Sequence, residues 1–229
     1  MDAVARIALW ASLFVGTHLV ISSHLVRPRL IAALGRQPYN GLYSLIALAT
    51  FMPLLLVFGH HKHAGTMLWN LRAVEPVRWL TWILMFAAFI FLVAGLINPN
   101  PGALGARLRG QVRGILKVTR HPTFVAIALF AVAHLLMNGW LGDVIFFGSF
   151  ALLAILGGFH QDRRKLREIG EPYRELMAQT SFFPGTALVR GRQRWSADDV
   201  PWAAIASGVA LTIVVLILHP RLFGGYPLG

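Results

Sequence analysis

Apolar residues fill six long stretches of the chain, near residues 4–26, 40–59, 76–97, 122–139, 140–160 and 200–219. Each has the length and apolarity that a hydrocarbon core of about 30 Å demands. The pattern predicts an all-α membrane protein of about six transmembrane helices, forming one multi-pass domain over residues 1–229. Between the fifth and sixth, DRRKLREIGEPYRELMAQ places Leu166, Ile169, Tyr173 and Leu176 at helical spacing, which predicts an amphipathic cytoplasmic helix lying at the membrane surface. A solvated connecting helix is the plainer alternative. Pro76, Pro122 and Pro201 each fall where a helix begins and a missing N–H costs least, whereas Pro53 lies mid-span and predicts a kink. The fourth and fifth stretches form a hairpin whose turn runs from Asn138 to Asp143.

Charge then orients these stretches. The chain is 56% hydrophobic and 13% charged, with 21 Lys and Arg against 9 Asp and Glu for a net charge of +12. In so apolar a chain that excess goes with lipid headgroups and membrane orientation rather than with nucleic acid. Sixteen of the 21 cations lie within residues 27–36, 107–120 and 163–194, three connections that share a side if all six stretches cross. The positive-inside rule places them in the cytoplasm and both termini outside, with a bacterial inner membrane as the default location. The N-terminal run has no clear cleavage pattern and reads as a retained first span. Six of the seven tryptophans, all but Trp10, fall near proposed helix ends, as an aromatic belt requires. The absence of cysteine excludes disulfides, thiolate metal sites and thiol nucleophiles.

Histidine is the chemistry that remains, since no acidic residue lies deep in the proposed spans. His18, in LFVGTHLVIS, and His134, in FAVAHLLMN, are the two imidazoles well inside apolar helices. Either each is neutral and hydrogen-bonded to a neighbouring helix, or the two face a common ligand. Haem b is the ligand that fits two neutral imidazoles and no cysteine, its propionates seeking arginines near a membrane surface; Arg163 and Arg164 are candidates for that contact. A separate signal is TRHPTF, where Arg120 and His121 crowd the positive start of a helix opened by Pro122. An anion is expected there: a haem propionate, a lipid phosphate, a cofactor carboxylate or the side chain of Asp162. His60, His61 and His63, in GHHKHAG, read as an interfacial loop, with a zinc or copper site as the alternative and no carboxylate closer in sequence than Glu75.

Several segments together resemble a known family. THLVISSHLVRPRLIAALGRQPYNGLYSL, LWNL, GILKVTRHPTF, AHLLMNG, DRRKLREIGEPY and TSFFPG, followed by GRQ, resemble in order and spacing the NnrU family of bacterial membrane proteins over residues 10–195, leaving 200–219 as an extra C-terminal helix. The same series is similar to plant zeta-carotene isomerase, of the same superfamily, a haem-b enzyme with two histidine ligands. The resemblance implies iron ligation by His18, with His24 as its rival, and by His134, thirteen residues after His121. It implies a redox-dependent cis–trans isomerase of a lipid-soluble polyene or a denitrification-associated haem protein, with a non-enzymatic accessory subunit of a respiratory complex as another reading. RHP with its aromatic, GEPYREL and the later FFP are also similar to isoprenylcysteine and phospholipid methyltransferases, which implies an S-adenosylmethionine shelf of Arg120, His121, Asp162 and Tyr173. Those enzymes carry a Glu-Glu pair where this chain has Asp162-Arg163, and a cation in place of the second acid reverses the local field, so methyl transfer is the alternative.

Overall fold

The computed structural model describes residues 1–98 and 112–224. Arg107 and Arg109, counted above among the cytoplasmic cations, lie outside the described residues. All regular structure among the described residues is helical apart from one isolated bridge: α1 (Ala3–Ile21), α2 (Val26–Leu34), α3 (Arg36–His60), α4 (Glu75–Ile97), α5 (Ile115–Val118), α6 (Pro122–Met137), α7 (Leu141–Ile169), α8 (Glu171–Gln179), α9 (Thr186–Val189), a 3-10 turn (Ala197–Asp199) and α10 (Trp202–Phe223). Five of these, α1, α3, α4, α7 and α10, are long and apolar enough to cross a membrane. The sixth expected span, α6, has only 16 residues, about 24 Å at 1.5 Å per residue.

The chain divides into two compact units, Met1–Thr81 with Ala131–His160 and Trp82–Phe130 with Gln161–Gly229. In the first, α1 packs along α3 and buries Ile7, Phe14, Leu54, Phe58 and Phe146. α1 stops at Ile21, where Ser22 turns its hydroxyl back onto the His18 carbonyl at 2.6 Å. The expected first span to residue 26 is thereby cut short, and His24 falls in an exposed turn before α2. Pro53 sits inside α3, which runs uninterrupted through it to His60. The segment after α3 closes over the end of α6: Met67 bridges Trp140, Trp69 Nε1 donates to the Leu135 carbonyl at 2.9 Å, and Arg72 Nε donates to the Met137 carbonyl at 2.8 Å. A cation there meets carbonyls that the helix itself leaves unpaired. Gly139 is obligatory in this turn, since a Cβ would lie 2.0 Å from the Trp69 carbonyl oxygen.

In the second unit small residues set the spacing. A Cβ on Gly208 of α10 would come 2.7 Å from the Cα of Ile90 on α4, and one on Gly95 would come 2.5 Å from Thr123 Oγ1 at the start of α6. Such close approach is how helices pack in lipid, where apolar surface has nothing to gain from leaving hydrocarbon. The amphipathic segment expected as one helix is split in two. α7 runs on to Ile169, Gly170 adopts φ +77°, and Pro172 falls in the first turn of α8, so a left-handed glycine ends one helix and a proline starts the next. The apolar face survives the break, with Tyr173 and Leu176 buried on α8. Long apolar side chains on the spanning helices remain outside, among them Leu45, Ile83 and Ile217, each more than 60% exposed. A surface of this kind is solvated by lipid.

Candidate functional site

The structure gathers the RHP residues of the second unit around one carboxylate, whereas His18 and His134, in the first unit, contact different side chains. In the first unit, His18 and His134 both sit in the last turn of their helices, α1 and α6, nearer helix ends than mid-span. The His18 ring is oriented by its own helix: Nδ1–H donates to the Phe14 carbonyl at 2.7 Å. That bond fixes the tautomer and leaves the Nε2 lone pair without a hydrogen-bond partner among the described residues, which is the state of a histidine ready to ligate a metal. Phe14 packs edge-on against the imidazole at 4.4 Å and Tyr43 at 5.5 Å. His134 stacks on Phe147 at 4.6 Å. The two imidazoles therefore face different aromatic side chains. A continuous run of ring contacts links them, from Phe14 to Phe150 at 5.9 Å, on to Phe146 at 5.0 Å and to Phe147 at 5.0 Å, with Phe58 stacked flat on Phe146 at 3.8 Å. The donor chemistry of His18 suits a metal that takes neutral imidazole: no acidic side chain bonds its ring, and its Nδ1 is tied to a carbonyl, as in metal-bound histidines.

The cluster in the second unit is the RHP motif. Asp162, near the end of α7, accepts from Arg120 Nε at 3.1 and 2.9 Å, from Arg120 Nη2 at 2.6 Å, from His121 Nε2 at 2.8 Å and from Tyr173 Oη at 2.7 Å. All four residues are buried, Tyr173 completely. The Arg120 backbone N–H donates to the Ser181 carbonyl at 2.9 Å, and Thr119 Oγ1 accepts from the His121 N–H. The anion expected at this helix start is thus supplied by the chain itself, as Asp162. Both carboxylate oxygens are consumed within the network, which leaves the proposed S-adenosylmethionine shelf bonded to itself. Arg163 is exposed, and Arg164 reaches Glu168 one turn along the same helix at 3.9 Å.

Two pairings were not expected. Asp143, in the first turn of α7 and fully buried, accepts from His63 Nδ1 at 2.7 Å and from its backbone N–H at 3.2 Å. His63 holds φ +59°, a left-handed conformation that a non-glycine residue adopts at some cost. The two bonds to Asp143 hold it there. His61 is likewise committed, with Nδ1 on the Val57 carbonyl and Nε2 accepting from Arg6 at 2.8 Å. Among the described residues no three histidines or carboxylates gather as a metal site. His63 and Asp143 lie 80 positions apart, and a buried acid right after a Gly-Trp-Leu-Gly turn is the one cue the sequence offers. A further unanticipated pair joins Lys117 Nζ to Asp199 at 2.7 Å in the second unit.

Comparison with known proteins places the chain in a family. Over 197 residues the chain is 29% identical to the chloroplastic 15-cis-zeta-carotene isomerase of Zea mays, covering 81% of this chain and 52% of that protein. Over 202 residues it is 29% identical to the corresponding Arabidopsis thaliana protein, covering 83% and 53%. The chain spans about half the length of these curated relatives. No solved structure matches it. The family model described as NnrU protein matches residues 6–227, so the similarity runs through α10, which had been expected to lie beyond the shared core. With nearly its whole length matched, this multi-pass membrane chain belongs to the NnrU family.

Proposed function

We propose that the chain is a membrane-embedded cis–trans isomerase of a lipid-soluble polyene, working with haem b held by His18 and His134. The observation that carries the reading is the similarity to two 15-cis-zeta-carotene isomerases across four-fifths of the chain. It is supported by the His18 ring, fixed through Nδ1 with Nε2 left over. Haem b, held by His18 and His134, would supply redox-active iron chemistry when bound. The chain's own contribution is apolar and aromatic. Phe14 packs on His18 and Phe147 on His134, with Phe58 and Phe146 buried behind Phe147, where they exclude water and give the site an aromatic wall suited to a conjugated chain. No proton transfer is asked of the site, in keeping with His18, whose ring bonds a carbonyl and not a carboxylate. Arg120, His121 and Asp162 act in this reading as the clamp that fixes the start of α6, the helix that carries His134. A bacterial inner membrane is the proposed location, with residues 163–194 facing the cytoplasm.

The test is spectroscopic and chemical together. Protein purified in detergent from haem-replete cells is expected to show a Soret band, to lose it on His134→Ala, and to convert a 15-cis polyene as followed by chromatography. A well-folded, colourless protein that leaves the polyene unchanged overturns the proposal.

A further inference from the structure

The second unit carries a cleft of about 270 Å³ whose walls include Arg120, Arg190 and Arg192 and no acidic residue. The charge of Arg120 is balanced by Asp162; the other two are not balanced in this way. Arg192 spends Nη1 on the carbonyls at the end of α8, those of Met177, Ala178 and Thr180, and its remaining donors make no hydrogen bond among the described residues. Arg190 makes no side-chain hydrogen bond among the described residues, and the hydroxyl of Thr186, one turn before it on the same wall, has no partner there either. Two exposed guanidinium groups and one hydroxyl thus line one open cleft, with donors that a ligand can take over from water.

The chemistry that satisfies such a set is a tetrahedral oxyanion of more than one charge, because planar guanidinium forks pair with phosphate oxygens two at a time and a hydroxyl completes the shell. A lone carboxylate would use one fork and leave the other. The rim adds a second requirement: Phe183, part of the lining, is 59% exposed, and Val189, next to Arg190, is 90% exposed. Apolar side chains set out beside cations suit a molecule with a charged head and a hydrocarbon body. We propose that this cleft binds a phosphate group, and that Arg190, Arg192 and Thr186 are its ligands. The lipid-borne form is a phosphomonoester headgroup; the soluble form is free phosphate.

The full-length protein in detergent, titrated calorimetrically with dihexanoyl phosphatidate and separately with inorganic phosphate, tests the assignment. Phosphatidate is expected to bind, and the double variant Arg190→Ala/Thr186→Val to weaken it by at least about tenfold, with size-exclusion profile and helical circular dichroism unchanged. Arg192 is left intact because it also caps α8. Arg174→Ala, an exposed cation outside the cleft, is expected to bind as the wild type does. Binding of phosphatidate with no competition from millimolar phosphate supports the site and makes its source a lipid; equal binding of free phosphate supports it and makes the source soluble. Binding of neither overturns the proposal. So does a double variant that binds normally, or an equal loss in Arg174→Ala, which would reduce the effect to general surface charge.

Discussion

Asp162 gathers a guanidinium, an imidazole and a phenol onto one buried carboxylate. Taking it away leaves Arg120 charged and buried with no counter-ion, so Asp162→Ala is expected to lower stability by about 3–5 kcal/mol, against a smaller loss for Tyr173→Phe, which removes one donor of several. Thermal unfolding in detergent orders the two, and an Asp162→Ala protein as stable as the wild type would show the network to be idle. At His63 the expected direction is also a loss: His63→Ala keeps the unfavourable φ of +59° and discards the Nδ1 bond to Asp143, whereas His63→Asn tolerates that backbone better and is expected to fall between. Asp162 was legible in the sequence as one of four anions that could meet Arg120, because a helix start with two basic residues calls for a negative partner. Asp143 was not, because nothing within either segment reveals that a loop 80 residues earlier folds back onto it.

Helix ends were readable wherever their cause is local. Pro122 opens α6, and Pro201 caps α10. The break at Gly170 was equally written in Gly-Glu-Pro, yet the periodic face running through Leu166, Ile169, Tyr173 and Leu176 outweighed it; tertiary packing keeps that face while allowing the axis to bend. Helix contacts were not readable, because a glycine inside a span looks the same whether or not a neighbour presses on it. The structure separates the cases. Gly208→Ala is expected to cost about 1–3 kcal/mol, since the added methyl meets the backbone of Ile90 rather than a movable side-chain tip. Gly148→Ala, with nothing within 4 Å, is expected to be neutral or to stabilise α7 by up to about 1 kcal/mol. Comparing the two midpoints in one detergent checks the ranking, and equal effects would mean α10 does not lie against α4 as described.

For the molecule as a whole, acid is the condition that discriminates. The Asp199 carboxyl, in the turn before α10, is held below the usual carboxylate range chiefly by the Lys117 ammonium, against the opposing effect of burial, with added bonds from Ser196 and from the Gly114 N–H. A depressed value in the fold means stability that is complete above the unfolded value of about 3.9 and drains away as pH falls through the folded one. The melting temperature is therefore expected to drop below about pH 4, and Asp199→Asn to flatten that part of the profile while lowering stability at neutral pH. Topology is open to direct measurement because the chain has no cysteine of its own. Single cysteines at His24 and at Asn138 are expected to react with a membrane-impermeant maleimide from opposite faces, and Leu48→Cys, on the lipid-facing side of α3, not to react from either.

The shortness of α6 bears on the lipid around it. If α6 crosses as the sixth span, a hydrophobic segment of about 24 Å in a core of about 30 Å leaves a mismatch that the bilayer meets by thinning, at a fraction of a kcal/mol for each ångström. That dimple costs less when shared, so membranes of lesser thickness, or neighbours whose own segments are equally short, would be the company this protein keeps.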